Sequence, residues 1–264
     1  MLLLLHVLML SLLSGGSARV VWDFESECRQ FFANGSSPTR FPGLQYRQIC
    51  QMRKDVDYYA TFYDTVNKIP VYSAYKFEGI MHCKRRASWY IEPKIDDNNG
   101  GPNMASEGSV DIQVRGDRQA LNRDYYRSGY HKGHLAPVYL ANSQSCAYAT
   151  FTLTNAAPQA DHFNSVLWWD VEKSMAQYLK WGCNLQPVYI VTGVVPGTNY
   201  INNRVNIPSH FWTAYCCFDQ NNRCSDSWGA IGTNDNNSNI EEMSVSYLEE
   251  ELENLYGRTF QLFQ

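Results

Sequence analysis

The stretch from Gly129 to Glu172 constrains this chain more than any other. It opens with Gly129-Tyr130-His131-Lys132-Gly133-His134-Leu135-Ala136-Pro137 and passes through Asn155-Ala156-Ala157-Pro158-Gln159. It closes with Asn164 and Trp168-Trp169-Asp170-Val171-Glu172. Leu167, Val171, Met175 and Tyr178 recur at helical spacing and Gly182 is a stop, which predicts a helix over 164–181. Asn164 and Glu172 are eight positions apart on that helix. At about 100° per residue they differ by roughly 80° around its axis, so both can face one site, with Trp168 between them on the same side. Imidazole, cation, amide and carboxylate are thus gathered on a short segment.

These residue types fit phosphodiester hydrolysis. That reaction needs a base to take a proton from water, positive charge for the transition state, and stabilisation of the leaving oxygen. His134 suits the first role because imidazole titrates near neutral pH. Lys132, Arg127 and the Arg85-Arg86 pair are available for the second. A hard divalent cation would serve the third; such ions take oxygen ligands, and Asn164 and Glu172 offer them. Each residue also has a plainer reading. Asn155 and Asn164 fit helix or turn caps, and Trp168 and Trp169 fit a core. Arg115, Arg118, Arg123, Arg127, Lys132 and Arg204 fit a solvated surface unless several share one face. His131-x-x-His134 lacks a nearby cysteine or third histidine to complete a transition-metal site. His82, His162 and His210 have no motif partners and read as structural or surface residues.

The flanks bound the compartment and the fold. Met1 to Leu13 is an apolar run followed by Ser14-Gly15-Gly16-Ser17-Ala18, which predicts a secretory signal peptide over 1–18, cleaved after Ala18. The mature part, 19–264, is expected to be a single domain without a membrane span. Its eight cysteines are an even count, which in an exported chain reads as disulfides; Cys28 and Cys50 are candidates to staple the irregular segment 20–43. No CxxC pair supports zinc. Asn34-Gly35-Ser36 and Asn236-Asn237-Ser238 are glycosylation sequons. The formal charge of −4 does not advertise a polyanion partner, so nucleic-acid binding would need a local basic surface.

Aromatic and β-branched runs at 58–64 and 69–77 predict a hairpin, with further strands at 88–92, 149–154, 186–193, 205–218 and 228–232. Residues 96–109 and 234–239 read as loops and 117–126 as a short helix. A last helix carries Val245, Leu248, Leu252, Leu255 and Tyr256 on one face, with Ser246 and Glu249 as a capping box and Gly257 as its stop. Strands followed by mixed helices indicate an α+β domain with a central, mostly antiparallel sheet flanked by helices.

Taken together, the motifs resemble the DNA/RNA non-specific endonuclease family, whose fold is called ββα-metal or His-Me finger. Its signature runs Asp-Arg-Gly-His, a strand, Asn-x-x-Pro-Gln, then Asn, Trp and Glu on a helix. Here His131-Lys132-Gly133-His134, Asn155 to Gln159, and Asn164, Trp168 and Glu172 occupy those places. Cys28 with Phe31-Phe32, Gln48-Ile49-Cys50-Gln51, the two hairpin strands and the Leu248-Glu249-Glu250-Glu251-Leu252 tail look like the secreted endonuclease-domain-containing-1-like subgroup. The likeness covers nearly all of the mature chain. It implies His134 as general base, Asn164 as direct metal ligand, Glu172 near the metal through water, and Asn155 in positioning the site. The family's upstream catalytic arginine maps onto Arg86, with Arg85 close behind, because Trp89 and Glu92-Pro93 follow. Lys132 completes the catalytic set, and Arg85, Arg127 and His131 are substrate contacts. Two residues depart from the signature: His131 stands for Asp and Lys132 for Arg. Lysine keeps the charge but loses the two-pronged grip on phosphate. The implied activity is hydrolysis of DNA and/or RNA with Mg2+, or another hard divalent cation such as Mn2+ or Ca2+, leaving 5′ phosphates. The alternative is a secreted nucleic-acid-binding protein that keeps the fold and has lost turnover.

Overall fold

A computed structural model describes residues 20–183 and 186–264, so the predicted signal peptide lies outside the described residues. Eight strands form the central sheet: β1 (Val20–Val21), β2 (Tyr46–Arg53), β3 (Val56–Asp64), β4 (Ile69–Phe77), β7 (Val188–Val195), β10 (His210–Phe218), β11 (Cys224–Thr233) and β12 (Ile240–Met243). They lie in that spatial order and every pair is antiparallel. The predicted hairpin is β3–β4. Its turn is made by Asp64, whose Oδ1 accepts from the N–H groups of Val66 and Asn67. β2 adds a strand that its Arg, Gln and Met content does not advertise, and a short helix, α1 (Phe24–Glu27), lies between β1 and β2 in the chain.

β4 and β7 are neighbours, with Phe77 opposite Val188. The chain from 78 to 187 therefore leaves the sheet and returns to one place. It carries α2 (Pro93–Asp96), α3 (Gln144–Ala149), α4 (Trp168–Leu179) and a small hairpin of β5 (Tyr130–His134) and β6 (Ala156–Ala160). A second small hairpin, β8 (Asn199–Ile201) with β9 (Val205–Ile207), follows β7. The predicted strand over 205–218 is thus two strands, parted at Pro208, which cannot donate to a ladder.

Both faces of the sheet are covered, and β10 displays this by alternation. Trp212 and Ala214 pack with Leu248 and Leu252 of α5 (Val245–Tyr256) and with Phe260. Phe211 turns to the other face, against Phe163, Trp168 and Val171. Burying a side chain of this kind contributes about 1.5–3 kcal/mol. The adjacent pair Cys216-Cys217 follows the same alternation: Cys217 bridges Cys183, and Cys216 bridges Cys224. The expected Cys28–Cys50 bridge also forms. Cys83 and Cys146 carry thiols. Among the described residues no helix is long and apolar enough to cross a membrane.

Several predicted elements differ. Residues 149–154 are not a strand: Ser143 caps α3 by accepting from Cys146 N, and a single 3-10 turn, Leu153–Asn155, follows. Residues 151–155 are all buried, and among the described residues their one bridge is from Thr152 to Tyr90. The predicted strand at 88–92 shrinks to that bridge and another from Ile91 to Ala105. The helix expected at 117–126 is one 3-10 turn, Asn122–Tyr125. At α5 the cap is Ser244, which accepts from Tyr247 N, and not the predicted Ser246–Glu249 box. Glu249 instead accepts from Leu262 N at 2.6 Å and fastens the C-terminal tail. Gly257, at φ 67°, ends the helix as predicted.

Candidate active site

β5, β6 and α4 form a ββα unit on the sheet face that carries Phe211. In β5, alternate residues share a side, so Lys132 and His134 point the same way. Gly133 sits between them opposite Ala157. A Cβ there would lie 2.2 Å from Gln159 Oε1 and 2.7 Å from Gln159 Cβ, so only glycine allows the two strands to pair this closely. Asn234 anchors β6 to the sheet: its Oδ1 accepts from Ala160 N at 2.9 Å and its Nδ2 donates to Pro158 O at 2.9 Å.

Asn155 is fully buried and does not reach the cleft. Its Oδ1 accepts from Ala136 N and from Ser73 Oγ, both at 2.9 Å. Its Nδ2 donates to Ala136 O and Thr150 O at 3.0 and 3.1 Å. It therefore holds the backbone just past His134. Ser73 itself pairs with Thr61 Oγ1 at 2.8 Å, so this anchor continues into the central strands β3 and β4.

The helix that supplies Asn164 is not a uniform α-helix. Phe163–Leu167 is a π turn, followed by α4. A π turn spends one extra residue per turn, and such turns concentrate at functional sites. The extra residue changes which tryptophan faces the site. Trp168, which helical spacing sets beside Asn164 and Glu172 and residue type sets in the core, takes the core position: it is 2% exposed and packs on Phe163 and Phe211. Trp169, expected in the core, is 37% exposed and lines the cleft, its ring 4.7 Å from that of Tyr139.

The cleft has a volume of about 220 Å³ and is lined by Arg85, Lys132, His134, Asn164 and Glu172, with Pro137, Val138, Tyr139, Ser165 and Trp169 completing its wall. A roomier hollow of about 330 Å³ beside Tyr59, Tyr75 and Leu140 contains no histidine. His134 is 8% exposed, caged by Trp89 at 4.6 Å and Phe151 at 5.0 Å. Its Nε2 is buried without a hydrogen-bond partner among the described residues. Burial, reinforced by the charge of Arg85, pushes its pKa down to about 3, so the ring is neutral. Burial pushes the Glu172 carboxyl up to about 8, with Arg85 opposing. Lys132 Nζ lies 5.3 Å from the centre of the Tyr125 ring and 5.7 Å from that of Trp89, and burial lowers its pKa. The Glu172 carboxyl and the Asn164 amide oxygen make a hard oxygen donor pair, which suits a divalent cation with water rather than a soft metal, while the His134 Nε2 stays available to take a proton.

His131 contacts the proposed ligand directly. Its Nδ1 is 3.0 Å from Asn164 Nδ2 and its Nε2 is 3.3 Å from Asp161 Oδ1. A carboxylate only accepts, so the ring carries a proton on Nε2 toward Asp161, and Nδ1 is placed to accept from the Asn164 amide. Asn164 Oδ1 is thereby left for the cleft. Asp161 and Trp169 have no place in the sequence motifs; Asp161 is detectable only as an acid one helical turn before Asn164.

Two predicted residues lie elsewhere. Arg86 does not line the cleft: its guanidinium rests on the rings of Tyr90 and Tyr148 at 4.8 and 4.9 Å. Its neighbour Arg85 lines the cleft instead. Arg127 is exposed at φ 53° with its guanidinium over the Tyr126 ring, away from the cleft. Of the other basic residues, Arg204 is paired with Asp124 at 2.9 Å.

Comparison with known proteins agrees with this architecture. The DNA/RNA non-specific endonuclease family profile matches residues 42–261. The Endonuclease domain-containing 1 protein of Homo sapiens is 34% identical over 195 residues, 72% of this chain and 39% of that protein. This chain thus spans well under two thirds of that relative. Endonuclease G, mitochondrial, of Bos taurus is 32% identical over 169 residues, 52% of this chain and 55% of that one. A solved structure, "Crystal structure of the EndoG/EndoGI complex: Mechanism of EndoG inhibition", superposes with a TM-score of 0.53 at 21% identity, covering 82% of this chain and 86% of that one, and shares the fold. The match along most of the chain and the ββα unit lead to one conclusion: the protein belongs to the DNA/RNA non-specific endonuclease family.

Proposed function

We propose that this chain is a secreted, divalent-metal-dependent endonuclease that hydrolyses phosphodiesters of DNA and/or RNA without sugar specificity. The observation that carries the reading is the convergence of Arg85, Lys132, His134, Asn164 and Glu172 on one cleft, with the His134 Nε2 unpartnered. His134 takes the proton from the attacking water. Its neutral form is the base form, and the charge of an arriving phosphodiester opposes that of Arg85 and favours the imidazolium as it forms. Arg85 and Lys132 offset charge on the non-bridging oxygens. Asn164 and Glu172 would hold Mg2+ or another hard dication, which when bound stabilises the leaving 3′ oxygen as a Lewis acid, giving 5′-phosphate products. His131, where the family has Asp, supports Asn164 rather than touching substrate.

The leader over 1–18 and three disulfides favour export. Asn34 and Asn236 are exposed, as glycosylated asparagines must be. The test is digestion of plasmid DNA and of RNA by the purified protein with Mg2+, Mn2+ or Ca2+, each repeated with chelator. Cleavage that chelator abolishes supports the reading. Binding without cleavage under every cation overturns it in favour of a nucleic-acid-binding protein.

A further inference from the structure

The two thiols, Cys83 and Cys146, lie on segments that run side by side. Met81 N donates to Ala141 O at 2.9 Å. Lys84 N donates to Gln144 Oε1, and Gln144 Nε2 donates back to Lys84 O, both at 2.9 Å. Arg86 then lies over the Tyr148 ring at 4.9 Å. Those contacts join residues 60, 60 and 62 positions apart, and Cys83 and Cys146, 63 apart, fall inside the same frame. Both side chains pack on one small apolar cluster of Val138, Ala141, Ala147 and Phe151. The stretch 80–88 is otherwise exposed; only Cys83 and Arg86 turn inward. Burial pushes the Cys146 thiol up to about 11, and Cys83 adds to the rise.

We propose that Cys83 and Cys146 form a fourth disulfide, a covalent clamp that fastens the exposed segment carrying Arg85 to α3 at the edge of the cleft. The other six cysteines are already bridged, so an oxidised chain is the state in which this pair would be made. Two S–H bonds break and one S–S bond forms. The two protons and two electrons pass to a low-molecular-weight disulfide, such as oxidised glutathione, which leaves as two thiols. The consequence is local. Without the bridge, the segment is held by a few exposed hydrogen bonds and by the cation–ring contacts of Arg85 with Phe151 and of Arg86 with Tyr90 and Tyr148, a pattern that opens readily.

The test does not use nuclease activity, so it stands apart from the proposed function. The full chain, secreted from eukaryotic cells, is denatured without reductant, treated with N-ethylmaleimide, digested and mapped by mass spectrometry. Peptides containing Cys83 and Cys146 are expected joined, and reduction separates them. Recovery of both as maleimide adducts, with the other six cysteines bridged, overturns the proposal. Limited trypsin treatment supplies a second measurement, because Lys84, Arg85 and Arg86 are cleavage sites. In the Cys83→Ser/Cys146→Ser double variant, clipping at 84–86 is expected to be several-fold faster, with rates elsewhere unchanged. Equal clipping rates overturn the clamp.

Discussion

Removing the charge of Glu92 is expected to flatten the pH dependence of stability on the alkaline side. Glu92 is 3% exposed. Its Oε1 accepts from Gln51 Nε2 at 2.7 Å and from Thr152 Oγ1 at 3.4 Å, and no cation pairs with it among the described residues. Burial raises its carboxyl from the ordinary 4.5 to about 8, against the pull of those two hydrogen bonds. Between these values the folded chain keeps a proton that the unfolded chain has lost. Unfolding then releases a proton, and stability falls as pH rises, by about 1.4 kcal/mol per pH unit. The stability is fully present below the unfolded pKa and is lost through the folded one. Integrated over the window from 4.5 to 8, the loss is at most about 5 kcal/mol. Glu92→Gln keeps an acceptor for Gln51 and cannot ionise. Its amide group adds a cost that does not vary with pH, so the informative quantity is a slope. Urea denaturation of both proteins from pH 5 to 8.5 measures it. The stability of the variant relative to the parent is expected to climb with pH by up to about 1.4 kcal/mol per unit. A constant difference across that range would falsify the assignment of a buried, proton-retaining Glu92.

Other expectations concern the cleft. His134→Ala is expected to lower kcat by about 10²–10⁴-fold while leaving Mn2+ affinity, read by calorimetry, nearly unchanged; full activity in that variant would rule out His134 as the base. Arg85→Ala is expected to slow cleavage by about 10²-fold or more, whereas Arg86→Ala leaves kcat close to the parent's; the reverse order would reinstate Arg86. His131→Ala is expected to weaken Mn2+ binding by about tenfold or more, as loss of a residue supporting a ligand does. His131→Asp, which can still accept from Asn164 Nδ2, is expected to retain it, and equal affinities in all three proteins would remove His131 from the site. Chelator is expected to stop cleavage without unfolding the chain, because disulfides and core rather than the cation hold the fold; loss of the circular dichroism signal on chelation would contradict this.

The sequence by itself determined the family, the chemical cast of the site and the elements with strong local signals. The β3–β4 hairpin and α5 could be read because their periodicity and turn residues act within a few positions. His134, Asn164 and Glu172 could be read because their separation along one segment already restricts them to one place. Only the tertiary structure decided the rest. Residues 149–154 look like a strand because burial on every side draws apolar and small polar residues whatever the backbone does. Arg85 and Arg86 are adjacent and chemically equal, so only the folded path tells them apart, Arg85 into the cleft and Arg86 onto Tyr90 and Tyr148. Trp168 keeps the expected core position, but Trp169 leaves it for the cleft wall after a π turn that no local propensity announces. The departure at His131 acquires its meaning only from Asp161 and Asn164, brought to it across the ββα unit. Those outcomes depend on direction and on partners distant in the chain, and a one-dimensional pattern records residue type and spacing but not direction.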